Sequence, residues 1–106
     1  MIEKRLEAAA MADFVIVIYN PKSKKRNWQL EKAQQIILKH RSGDTPVGLT
    51  TNIMRDGETV EIIELKNLHI ASVNMLTTVF VGNSYTAAHQ GFMVTPRGYA
   101  NKYQLN

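Results

Sequence analysis

Apolar residues fall at helical spacing in two stretches of the 106-residue chain and in short unbroken or alternating runs elsewhere. Residues 2 to 12, IEKRLEAAAMA, are strong helix formers that bring Ile2, Leu6, Ala9 and Ala10 to one side. No capping residue precedes Ile2, so this helix is expected to open inside an element that has been cut into. Phe14 to Tyr19 is β-branched and aromatic without alternation, which predicts a strand covered on both faces and sandwiched by helices. Asn20-Pro21 ends it, because proline lacks a ladder donor and asparagine favours turns. Residues 27 to 40 return to helical spacing, with Leu30, Ala33, Ile36 and Ile37 on one face, Asn27 as N-cap, cations at Lys39, His40 and Arg41, and Gly43 as the stop.

The rest of the chain reads mainly as strands. Pro46 to Thr51 and Val60 to Leu65 flank Arg55-Asp56-Gly57-Glu58, whose Asp-Gly signal predicts a hairpin or near-hairpin with antiparallel pairing. Asn67 to Met75 reads equally as short helix or loop. A fourth strand is expected over Thr77 to Val81 and a fifth over Phe92 to Thr95, followed by Pro96-Arg97-Gly98-Tyr99 and a polar tail. Without a repeat or linker, this order predicts one α/β domain: a mixed parallel and antiparallel sheet of about five strands flanked by helices.

Composition narrows the setting. A domain of this length hides about two-thirds of its unfolded surface, enough for a core. The 44% hydrophobic and 21% charged content suits a soluble globular protein, and no apolar stretch nears the ~20 residues of a membrane span. A cytoplasmic protein is the expectation. The absence of cysteine excludes disulfides and thiolate metal sites. The formal net charge of +4 is matched by four basic residues in five positions, Lys22, Lys24, Lys25 and Arg26, beside Trp28. That cluster suits phosphate contacts with base stacking, but equally a solvated turn leading into a helix.

Candidate chemistry lies where strands stop. Tyr19-Asn20-Pro21, Thr50-Thr51-Asn52 and Val81-Gly82-Asn83-Ser84 each end a run in small or polar residues. In open α/β sheets ligands bind beyond such ends, where backbone groups become available. Asn, Gly, Ser and Thr are also the ordinary residues of turns, so the pattern alone leaves both readings open. His40, His69 and His89 stand at no metal-ligand spacing, and neither a nucleophile motif nor a phosphate-cradling glycine loop is present.

Four segments add more: "IEKRLEAAAMADFVIVIYNPKSKKR", "TPVGLTTN", "TTVFVGNS" and "MVTPRGY". In order and spacing, they resemble the precorrin-3B C17-methyltransferases, a cobalamin-pathway branch of the tetrapyrrole methylase family. The resemblance covers nearly the whole chain and implies the C-terminal half of a two-domain, homodimeric methylase. S-adenosyl-L-methionine would lie between the domains and a tetrapyrrole, precorrin-3B or cobalt-precorrin-3, in an adjacent trough. The family's Gly-rich loop is absent from this sequence.

By the same resemblance, Tyr19, Asn20, Pro21, Thr51, Asn52, Ile53, Val81 and Gly82 are the cofactor-binding positions, their strand ends expected to finish side by side as one wall of a nucleoside slot, and Arg97 and Tyr99 the substrate-binding ones. No metal ligand and no catalytic side chain is assigned. Related proteins carry glycine or alanine where Ile53 stands, and a β-branched side chain there narrows an adenine slot. The implied reaction is methylation at C17 with contraction of the macrocycle. Its demands on a protein are alignment and desolvation, so the lack of an acid–base pair does not count against an enzyme. The isolated domain is expected to be inactive. The competing readings are a small basic nucleic-acid-binding module and a dimerisation module without a ligand.

Overall fold

A computed structural model describes residues 2–19, 29–52, 56–96 and 102–105. Two helices and a 3-10 helix lie on one face of a five-stranded sheet. The elements are α1 (Ile2–Met11), β1 (Val15–Tyr19), α2 (Gln29–Leu38), β2 (Pro46–Thr51), β3 (Thr59–Glu64), the 3-10 helix Leu65–Ile70, β4 (Thr77–Val81), β5 (Ala87–His89), β6 (Phe92–Val94) and β7 (Lys102–Leu105). The sheet order is β3-β2-β4-β1-β7. Its first four strands are antiparallel, and β7 runs parallel to β1 at the edge, which makes the sheet mixed as expected.

Cross-strand register sorts the side chains into two faces. Ile16, Val47 and Val81 align across the sheet, as do Ile18, Leu49 and Val79, and these six residues face the helices. Against them pack Leu6, Ala9 and Ala10 of α1, Leu30, Ala33, Ile36 and Ile37 of α2, and Leu65 and Leu68 of the 3-10 helix. The buried Gln34 amide ties α2 to that 3-10 helix, donating to the Leu65 carbonyl at 2.8 Å and meeting His69 Nδ1 at 3.2 Å.

Among the described residues the helices occupy one face, which corrects the expected helical sandwich. On the opposite face Val15, Val17, Gly48, Thr50, Ile62 and Phe80 follow the alternate register. Part of that face lies under a separate two-stranded sheet of β5 and β6. Met93 of β6 settles where Gly48 has no side chain: a Cβ there would stand 2.9 Å from the Met93 sulfur. The predicted fifth strand is therefore real but belongs to this hairpin, turned by Gln90 and Gly91 with positive φ at both, as a two-residue turn matched to strand twist requires.

The Asp-Gly turn between β2 and β3 also forms, with Gly57 at φ 81°. Asn27, the proposed cap of α2, lies outside the described residues, as does the basic cluster with Trp28. Gly43 does not itself stop α2. The helix ends at Leu38, and Gly43 instead lets the chain approach the 3-10 helix, where Lys66 Cβ would stand 3.1 Å from an added Cβ.

Candidate functional site

The strand ends separate into two groups because β4 runs against β1 and β2. Tyr19 pairs with Thr78, and Thr51 with Thr77, so the C-terminal ends of β1 and β2 meet the start of β4 at one margin of the sheet. Val81 pairs with Ile16 and Val47, at the other margin. Four residue steps at about 3.4 Å place Val81 about 14 Å from Thr77 along the strand. The expectation that all three predicted ends finish side by side is thereby corrected: Tyr19, Thr51 and Asn52 come together, whereas Val81 and Gly82 lie apart from them. Helical and strand periodicity carry no strand direction, which is why the sequence reading grouped them.

The first margin combines a left-handed turn with exposed apolar surface. Asn52, just past β2, adopts the left-handed conformation with φ 59°, tolerated by asparagine better than by most residues. Its amide donates to the Leu76 carbonyl at 3.2 Å, and its side-chain amide reaches the Gly57 carbonyl at 3.4 Å. Beneath it the Thr51 and Thr77 hydroxyls are 3.1 Å apart. Tyr19 is 36% exposed, Leu76 45% and Met75 61%. Such an edge can seat a flat ring against Tyr19 or Leu76 and offer hydrogen bonds from a turn. It holds no acid–base pair among the described residues.

The second margin is built from polar groups that mostly bind one another. Arg41, 9% exposed, donates to the Gly82 carbonyl at 2.7 Å, to the Ala9 carbonyl at 3.3 Å and to the Phe14 carbonyl. Burial pushes its guanidinium below its ordinary pKa, with the nearby Asp13 carboxylate opposing the change. Asp13 caps the end of α1 in the left-handed conformation, φ 64°, and accepts hydrogen bonds from the Ser84 amide and hydroxyl. Asp13, Arg41 and Ser84, with His40, Asp44 and Thr86, line a groove of about 360 Å³. His40 also bonds Glu7 at 2.8 Å and holds that carboxyl below its ordinary value.

Another concavity, of about 260 Å³, lies beneath the β5–β6 hairpin and is lined chiefly by Val15, Val60, Ile62, Phe80, Phe92 and Met93. His69 and His89 lie apart, one beside Gln34 and the other in the hairpin. No cluster of three metal-binding side chains occurs among the described residues. Asn20, Pro21 and Ile53, with Arg97 and Tyr99, fall outside the described residues. Sequence reasoning missed Leu76 and the turn behind it. The signal was present in Asn74, whose side chain can bond the backbone two residues on, but it stood in a stretch with no periodicity to anchor it.

Comparison with known proteins supplies the remaining constraint. No family model matches the chain. It is 55% identical over 106 residues to the cobalt-factor III methyltransferase of Priestia megaterium, a match covering all of this chain and 20% of that protein. It is 40% identical over 99 residues to the probable cobalt-factor III C(17)-methyltransferase of Salmonella typhimurium, covering 93% of this chain and 41% of the relative. The cobalamin biosynthesis protein CobIJ of Mycobacterium tuberculosis matches at 36% over 107 residues, covering 21% of its length. A crystal structure of the methyltransferase CobJ superimposes with a TM-score of 0.79 at 28% identity, over 90% of this chain and 40% of that one. The chain thus spans less than half the length of each of these proteins. In sequence and in fold alike, it is similar to one segment of proteins named as cobalt-factor III methyltransferases and cobalamin biosynthesis proteins.

Proposed function

We propose that this chain is the C-terminal domain of an S-adenosyl-L-methionine-dependent C17-methyltransferase acting on a tetrapyrrole, and that the margin formed by Tyr19, Thr51 and Asn52 is one wall of its nucleoside slot. The observation that carries this reading is the 55% identity to a cobalt-factor III methyltransferase along the entire chain. The margin fits the group: it joins exposed ring and aliphatic surface at Tyr19 and Leu76 to a turn at Asn52, the mixture an adenosine requires. Asn20, Pro21 and Ile53 adjoin that margin in sequence and belong to the same proposed set of cofactor-binding residues.

Val81 and Gly82 have a different part in this reading, holding the far margin through Arg41 and leaving the slot to the other strand ends. S-adenosyl-L-methionine, when bound, supplies a methyl group activated on a sulfonium. The chain's own residues bind and orient the nucleoside and keep water from it. Arg97 and Tyr99 serve the substrate side, with the arginine paired to a tetrapyrrole carboxylate. The remaining polypeptide provides the opposite wall, so the chain alone has little or no activity. A homodimer in the cytoplasm completes the reading, and no helix among the described residues is long and apolar enough to cross a membrane.

Titration of S-adenosylhomocysteine into the chain alone, and into the chain joined to the rest of its polypeptide, tests the proposal. Weak binding by the first and saturable binding by the second is the expected pair of results. Turnover by the chain alone overturns its assignment as half of a site, and no binding by either overturns the methyltransferase reading.

A further inference from the structure

The strand-end margin is held by a turn that the relatives' names say nothing about. Thr77, the first residue of β4, is 1% exposed, and its hydroxyl stands at the centre of a polar network. It accepts from the Asn74 amide at 2.9 Å, lies 3.4 Å from Asn74 Oδ1, and meets the Thr51 hydroxyl at 3.1 Å. Asn74 Oδ1 in turn accepts from the Leu76 amide at 2.8 Å, and the Asn74 carbonyl accepts from the Thr77 amide at 3.1 Å. The segment Asn74 to Thr77 is thus a closed turn whose shape is fixed by two side chains.

That turn fixes what lies beside it. With the Leu76 amide tied back to Asn74, the Leu76 carbonyl points toward β2 and accepts from the Asn52 amide at 3.2 Å. This bond extends the β2–β4 pairing one step beyond Thr51↔Thr77, at the residue where the chain turns into the left-handed conformation. The Asn52 side chain is already engaged with the Gly57 carbonyl. Asn52 is therefore braced on both sides, from the β2–β3 turn and from the segment before β4. A hydroxyl as deeply buried as that of Thr77 is costly to keep without partners, and here its bonds all serve the turn and the end of β2.

We propose that Asn74 and Thr77 are positioning residues: they hold Asn52 and Leu76 in the arrangement that receives the nucleoside, without touching it. The inference rests on the methyltransferase reading above and adds to it the residues that preorganise the slot. Loss of either side chain leaves the fold intact but loosens the Leu76–Asn52 contact, so ligand affinity falls more than stability does. Asn74→Asp keeps the acceptor oxygen and Thr77→Ser keeps the hydroxyl, and both retain the brace. Asn74→Ala and Thr77→Val lose it.

The test uses the protein as encoded, with any polypeptide that continues the chain. S-adenosylhomocysteine affinity is measured for the four variants, together with hydrogen exchange at the Asn52 amide. Loosening of the single neutral hydrogen bond between Leu76 and Asn52 predicts a dissociation constant raised about fivefold for Asn74→Ala and Thr77→Val. Faster Asn52 exchange is expected in the same two variants, and near-native values of both quantities in Asn74→Asp and Thr77→Ser. The KM for S-adenosyl-L-methionine should rise with little change in kcat, as befits uniform binding. Native affinity and native exchange in all four variants overturn the positioning role. Failure of the unsubstituted protein to bind S-adenosylhomocysteine overturns the methyltransferase reading instead, while the exchange data still decide whether Asn74 and Thr77 brace Asn52.

Discussion

Arg41→Met should lower stability by about 3 kcal/mol, a substantial share of the roughly 5–15 kcal/mol that holds a domain together. The side chain joins three places distant in sequence: the end of α1 through Ala9, the start of β1 through Phe14 and the end of β4 through Gly82. Methionine fills much the same volume but donates nothing, so three carbonyls lose their charged donor. Orphaning a buried acceptor costs about 1–3 kcal/mol; the Ala9 carbonyl keeps the Phe14 amide at 3.0 Å, so the loss falls mainly on the Gly82 and Phe14 carbonyls and the gross loss is near 5 kcal/mol. Against that stands relief from burying a guanidinium, seen in its lowered pKa and in a buried Nε that has no partner among the described residues. Such relief is worth about 1–4 kcal/mol when an apolar side chain takes the space, leaving the net near 3 kcal/mol.

Urea denaturation monitored by circular dichroism reads this as a lower midpoint with an unchanged slope. Thermal melting should fall by about 12 °C, at roughly 4 °C per kcal/mol for a chain of this size. Arg41→Lys, which keeps the charge but not the fork of donors, should lie between. A change below about 0.5 kcal/mol in Arg41→Met would refute the reasoning, because the three bonds would then merely balance the cost of burial.

Gly82→Ala should cost about 1–3 kcal/mol, since the new Cβ would stand 2.7 Å from Thr86 side-chain atoms and 2.9 Å from the Pro46 carbonyl, which is backbone and cannot yield cheaply. Gly48→Ala should cost less than Gly82→Ala by denaturation, because its close contact among the described residues is the flexible Met93 sulfur; equal losses would contradict this. The Glu7 carboxyl, held below its ordinary 4.5 chiefly by the hydrogen bond to His40, contributes stability that is present above that value and lost as pH falls through the lowered one. Glu7→Gln should therefore flatten the acid side of the stability profile below about pH 4.5 and little else; an unchanged acid limb would remove the claim.

Much of the fold was legible because the strongest local signals agree with the tertiary structure. Pro46–Thr51 and Thr77–Val81 fall where their residue runs predict, and Asp56-Gly57 makes the turn its chemistry calls for. What the sequence left hidden was pairing. Lys102–Leu105 reads as polar tail because an edge strand can find its partner without an apolar run, and the parallel partner here is β1, more than eighty residues away. Ala87–His89 carries no strand signal of its own and forms only against Phe92–Val94. The candidate site was half legible for the same reason. Tyr19 and Asn52 were marked by the ends of their strands, but Gly82 was grouped with them because strand direction leaves no mark on residue order. Leu76 and Asn74 entered only when the antiparallel register brought the start of β4 beside the end of β2.

The central claim is that one margin of the sheet receives a nucleoside. Backbone amide shifts of the isotopically labelled protein as encoded, followed during titration with S-adenosylhomocysteine, address it most directly. The account predicts saturable changes concentrated at Tyr19, Thr51, Asn52 and Leu76, with Gly82 and Ser84 unmoved. Changes confined to the Arg41 groove or to the underside of the β5–β6 hairpin, or no saturable change at all, would contradict it.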